Sequence, residues 1–129
     1  MKHAALALIL TTLPALAQTP MSAEDFDAYT KGQTLNFSSN GTAYGAEEYR
    51  DDRRVRWSFL DGDCREGRWY PEGDAICFVY EGDLGPQCWR FYAGGGGLRA
   101  EFLGGGGSDL YETEATDEPL FCLGPEVGV

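Results

Sequence analysis

The sequence predicts a mostly β protein. An antiparallel meander closes into a small barrel or a barrel-like sandwich, with one short N-terminal α-helix ahead of it. Three observations carry that prediction. From residue 34 onward the chain breaks into short, aromatic-rich segments separated by Gly, Pro, Asp or Asn. The connections between them are short, which suits neighbouring strands paired antiparallel. Seven to nine such segments can be drawn, and that many strands must curl to cover one face.

The elements follow in order. Residues 1–17 read as a secretory signal peptide. Lys2 and His3 supply a positive start, Ala4 to Leu10 an apolar run, and Ala15-Leu16-Ala17 an A-x-A cleavage site before Gln18. The apolar run is too short for a membrane anchor. No Cys follows the cleavage site to carry a lipid. The expected location is therefore periplasmic or secreted, with no membrane insertion after cleavage. Residues 18–129 then form a single disulfide-stapled β domain of 112 residues. Loss of Lys2 takes the net charge from −11 to −12, and loss of His3 removes the one histidine.

Ser22-Ala23-Glu24-Asp25 reads as a helix start, with Ser22 as the cap and two acids at the positive end of the dipole. The helix is expected over Ala23 to Lys31, packing Phe26 and Tyr29 and stopped by Gly32. Strands are expected near Thr34–Ser38, Ala43–Tyr49, Arg53–Leu60, Cys64–Tyr70, Ala75–Tyr80, Cys88–Tyr92, Leu98–Phe102, Asp109–Thr113 and Leu120–Cys122. Tyr70-Pro71-Glu72-Gly73-Asp74 suits a three-residue hairpin loop that pairs Tyr70 with Asp74 and sets Gly67 opposite Cys77. For Leu60-Asp61-Gly62-Asp63, one register pairs Phe59 with Cys64 and another sets Trp57 opposite Gly67; both stay open. The runs Gly94–Gly97 and Gly104–Gly107 lead into no helix, so they read as hairpin loops and not as phosphate cradles.

Four cysteines, Cys64, Cys77, Cys88 and Cys122, are an even count in a small exported domain, which implies two disulfides. No C-x-x-C pair is present, so neither a zinc site nor a dithiol redox centre is expected. Cys77 and Cys88 fall on consecutive strands and are directly opposite if Glu81–Leu84 is the loop. That favours Cys77–Cys88, leaving Cys64–Cys122 to tie the tail to the sheet.

The candidate ligand-binding residues are Trp57, Trp69, Tyr80 and Trp89, as walls of a cavity, and Arg54 and Arg56, as polar ligands for an anion. The competing readings are a filled aromatic core and a surface on which the arginines pair with Glu47, Glu48, Asp51 and Asp52. Without His, a Ser-His-Asp triad is excluded. A two-carboxylate hydrolase is not excluded, but no segment isolates one acid in an apolar pocket next to another. Asp61-Gly62-Asp63 and Glu81-Gly82-Asp83 are turns, not calcium loops. No metal and no cofactor are expected, and the acidity disfavours nucleic acid.

Several stretches together resemble a known group. They include Met21–Phe26, Gly32-Gln33-Thr34-Leu35, Tyr44-Gly45, Val55-Arg56-Trp57, Glu66-Gly67-Arg68-Trp69, Ile76-Cys77-Phe78-Val79-Tyr80 and Gln87-Cys88-Trp89. They are similar to small exported alphaproteobacterial proteins with a G-x-W strand and an I-C-F-x-Y…C-W hairpin. That group brings no activity, substrate or catalytic residue. The resemblance implies an exported, disulfide-bearing β-protein.

For function, the first expectation is a non-enzymatic acidic module whose charge steers a cationic periplasmic protein. The alternative is a carrier of a small apolar ligand in a lipocalin-like cavity. A carboxylate-based hydrolase comes third, and it predicts a cleft holding one acid of raised pKa.

Overall fold

Ser22 caps the helix as the sequence implies: its Oγ accepts a hydrogen bond from the Asp25 amide at 3.1 Å. The helix, α1, spans Ala23–Thr30. Phe26 and Thr30, one turn apart, are its buried residues. Tyr29 was expected to pack beside Phe26, but it is 40% exposed. One residue short of a full turn from Phe26, it reaches the rim of the barrel, where its hydroxyl donates to Glu112 at 2.8 Å. In this computed structural model the described residues are 1, 7–11 and 18–123. Most of the expected signal peptide, including its cleavage site, lies outside them.

Eight strands follow: β1 (Thr34–Ser39), β2 (Thr42–Tyr49), β3 (Arg54–Ser58), β4 (Cys64–Glu72), β5 (Ala75–Tyr80), β6 (Gln87–Gly94), β7 (Gly97–Phe102) and β8 (Leu110–Thr116). Each pairs antiparallel with the next, and β8 pairs back onto β1. The meander is therefore a closed barrel, and closure removes the unpaired edges an open sheet would expose. The expected ninth strand at Leu120–Cys122 is absent: those residues carry no strand pairing. They belong to a tail anchored on the outside, where the Leu123 amide donates to the Gly62 carbonyl at 2.6 Å.

The registers correct two hairpin expectations. The β4–β5 turn is Gly73-Asp74, with Glu72 opposite Ala75, so Tyr70 faces Cys77 and Gly67 faces Tyr80. Pro71 therefore lies inside β4 and not in the loop. It is tolerated because β3 ends its pairing at Arg68, so no neighbour on that side needs the missing N–H. At the β3–β4 turn, Ser58 faces Cys64 and Trp57 faces Arg65, which is neither register expected. Here the loop is lengthened by local bonds, from the Leu60 amide to Ser58 Oγ and from the Asp63 amide to Asp61 Oδ1.

Both disulfides are those favoured by the sequence. Cys77 and Cys88 are directly opposed, with Cα atoms 4.0 Å apart. Cys64–Cys122 pins the tail to the start of β4. The β5–β6 connection is longer than the four residues expected, because the ladder ends at Phe78–Gln87. Tyr80 thus pairs only with β4, and the barrel wall parts beside it.

The two ends of the barrel differ. Phe26 enters one end, with its ring centroid 5.2 Å from Trp69, 5.6 Å from Tyr49 and 4.6 Å from Phe91. The Met21 amide bonds the Phe91 carbonyl and closes that end further. At the other end, among the described residues, loops meet without a helix to cover them.

Candidate functional site

The loop end opens into a cavity of about 70 Å³. Its position follows from strand alternation. On β2 the inward positions are Gly45, Glu47 and Tyr49, because alternate residues share a face. The Trp57 ring lies over Gly45, where a β-carbon would sit 2.2 Å from Cζ2. Tyr80 lies over Gly67 in the same way, 2.6 Å from where a β-carbon would be. Each inward glycine thus makes room for one aromatic wall.

Glu47 lies between these walls. It is 2% exposed, on a strand whose next residue, Glu48, points outward to Arg50 at 3.5 Å and Arg56 at 3.9 Å. Two consecutive acids on a barrel strand must face opposite ways, so one of them had to enter. Tyr80 donates its hydroxyl hydrogen to Glu47 Oε1 at 2.5 Å. Glu47 Oε2 is buried and has no hydrogen-bond partner. Burial pushes the Glu47 carboxyl up to about 8, against the Tyr80 hydrogen bond, which pulls it down. Burial, and then the neighbouring Glu47 charge, holds both Tyr49 and Tyr80 well above the ordinary phenol range. Glu47 is thus an acid set among apolar walls, and it was not among the site residues expected from the sequence. The overlooked signal was Gly45-x-Glu47-x-Tyr49, which sets the acid on the face of a buried Tyr.

The mouth is aromatic and charged. Tyr44, Trp57 and Phe59 form a cluster with ring centroids 5.4 to 5.8 Å apart. Beside it Arg65 Nη1 meets Asp83 Oδ1 at 2.9 Å. Both members of this ion pair line the cavity.

The predicted binding residues divide. Trp57, Tyr80 and Trp89 line the cavity. Trp69 does not: it is buried at the closed end, edge-on to Phe26, with the Arg53 guanidinium 4.7 Å above its ring. Arg54 and Arg56 also do not, because the odd-numbered residues of β3 take the inside. Arg56 pairs on the outer face with Glu66 at 2.7 Å, and Arg54 is exposed, its Nε donating to the Asp51 carbonyl. Arg56 thus belongs to an ion-paired outer surface, and Arg54 is bonded to the backbone of the turn before β3.

Among the described residues, Glu72, Cys77 and Cys88 bring three potential metal-ligand atoms together. Both sulfurs are committed to a disulfide, so they offer no thiolate. What the barrel can do chemically is enclose a small group between aromatic faces and set it beside the Glu47 carboxyl. Comparison with protein-family models, curated proteins and solved structures finds no match to this chain.

Proposed function

We propose that the protein is an exported, non-enzymatic binding protein that takes a small ligand into the loop end of its barrel, a lipocalin-like carrier in plan. The observation that supports this reading is the cavity with a buried, half-partnered carboxylate. A packed core has no use for such a group, since burying it without a partner costs stability. Sites where a fold breaks its own rules in this way are typically functional ones. The two disulfides fit an oxidising compartment, and the proposed route there is the cleavable leader. Hydrolysis by paired carboxylates is less well supported. Asp83 is the second acid lining the cavity, and it is held by Arg65.

The second reading is an acidic module for a cationic protein partner. It draws on the net charge of −11 and on Phe59, Leu60 and Leu84, exposed on loops around the same end. Native mass spectrometry of protein purified gently at low salt tests both. A small extra mass lost on unfolding supports the carrier. A bound protein released as salt rises supports the module. A bare monomer counts against both.

A further inference from the structure

We infer that the cavity takes a small organic cation, an alkylammonium or a guanidinium, with Glu47 as its counter-ion. The inference rests on the ligand-binding reading above and names the ligand class. Glu47 lines the cavity, and its Oε2 is buried without a donor. An ammonium or guanidinium brings donors, and its charge complements the carboxylate. An anion would be held by the protonated acid alone, with no opposite charge to offset its burial, and an apolar molecule would leave Oε2 as costly as before.

The walls favour the same class. Tyr49, Trp57, Tyr80 and Trp89 surround the space, and aromatic faces attract cations, more strongly when water is excluded. The lone basic side chain among the lining residues, Arg65, is occupied by Asp83.

Size narrows the choice. An apolar cavity of about 150 Å³ holds benzene, and this one is about 70 Å³. It encloses a few heavy atoms, the scale of a short amine or of the tip of a Lys or Arg side chain. A lipid or a large cofactor does not fit. The net charge of −11 adds long-range attraction for any cation.

Binding is coupled to a proton. The cation needs the ionised carboxylate, and the empty site holds the acid largely protonated at neutral pH. The proton therefore leaves Glu47 for solvent as the cation enters. Other titratable groups lining the cavity are Tyr44 and Tyr49 on β2, Arg65 on β4, Tyr80 on β5 and Asp83 on the β5–β6 connection.

The test is a nuclear magnetic resonance titration of the folded, disulfide-intact protein. The probes are n-propylammonium, guanidinium, neutral 1-propanol and propionate. The expected result is shifts at the Trp57 and Trp89 indole N–H groups, with propylammonium or guanidinium binding about tenfold or more tighter than 1-propanol. In E47Q that preference is expected to vanish. Equal binding of 1-propanol, or a preference that survives in E47Q, overturns the cation assignment and leaves a ligand site standing. No cavity shifts with any probe overturns the ligand-binding reading itself. If E47Q fails to fold, the comparison of probes on the unsubstituted protein still decides. A lysyl peptide distinguishes the two sources of the cation. Tighter binding than propylammonium, lost on Lys→norleucine exchange, assigns it to a partner's side chain, and the opposite order assigns it to a free amine.

Discussion

Tyr80 reaches across the lumen from β5 to donate its hydroxyl hydrogen to Glu47 on β2. The bond joins strands that are not neighbours in the barrel, and it satisfies only one oxygen of a buried acid. The folded pKa of Glu47, about 8, lies above its ordinary value of 4.5. The folded state therefore holds a proton there that the unfolded chain gives up. Stability from this group is full below about pH 4.5 and is lost as pH rises toward 8. E47Q has no such loss. The expected outcome is that E47Q gains on the wild type by on the order of 3 kcal/mol between about pH 5.5 and pH 9, read from urea unfolding at each pH. A constant difference between the two proteins would contradict it.

The inward glycines carry the cavity. A β-carbon at Gly45 would lie 2.2 Å from Trp57 Cζ2 and 2.7 Å from the Ser58 carbonyl oxygen. At Gly67 it would meet Tyr80 Cδ1 and the Val79 carbonyl oxygen, both at 2.6 Å. A side chain can swing away, but a backbone carbonyl of the paired strand cannot. Gly45→Ala and Gly67→Ala are each expected to cost about 1–3 kcal/mol. Gly67→Ala is also expected to quench or shift the tyrosine signal of Tyr80, since its ring must leave the Glu47 bond. Thermal unfolding and ultraviolet difference spectra check both.

These details mark how far the sequence could be read. The strands were legible because alternation and turn residues are local, as in Leu98–Phe102 between its glycine runs. Disulfide pairing was legible because Cys77 and Cys88 share a hairpin. Register was not, because Pro71 suits a turn as well as a strand whose neighbour has ended. Trp69 and Trp57 look alike in sequence, yet the helix covers one and leaves the other at the open end. Glu47 was masked by Glu48. Only the direction of the β2 pleat separates an ion-paired surface acid from a buried one.

The two disulfides constrain unlike lengths of chain. Cys64–Cys122 spans 58 residues and Cys77–Cys88 spans 11. Loop-closure entropy gives about 4 kcal/mol for the first and about 3 kcal/mol for the second. Paired Cys→Ser exchange at 64 and 122 is expected to lower the denaturation midpoint more. It also frees the tail, whose Leu123 amide then loses the Gly62 carbonyl. Amide hydrogen exchange at Leu123 reads this directly, with rapid exchange in that variant and slow exchange when only 77 and 88 are changed.

Tyr29 fastens the helix to the barrel rim. Its hydroxyl donates to Glu112, which also accepts from the Leu98 amide at 3.1 Å. Burial, and then this bond, pushes the Tyr29 phenol up to about 12. Tyr29→Phe is expected to cost about 1 kcal/mol, because Glu112 keeps its second donor. A spectrophotometric titration of the wild type should show a tyrosine transition near pH 12 that is missing in Tyr29→Phe.

Arg65 and Asp83 stand at the mouth, and their pairing separates stability from access. Arg65 is about half exposed, and exposed pairs contribute little, about 0–1 kcal/mol. Arg65→Met therefore leaves the unfolding midpoint nearly unchanged. It removes the one basic group among the cavity's lining residues and frees Asp83, so the mouth becomes more negative. A cationic probe is expected to bind faster and more tightly, with an increase that fades as salt screens the charges. A neutral probe is expected to be indifferent to salt in both proteins. Stopped-flow tryptophan fluorescence across a salt series checks the pattern. If Arg65→Met weakens the cation instead, the Arg65–Asp83 pair is a structural part of the binding site and not a charged gate in front of it.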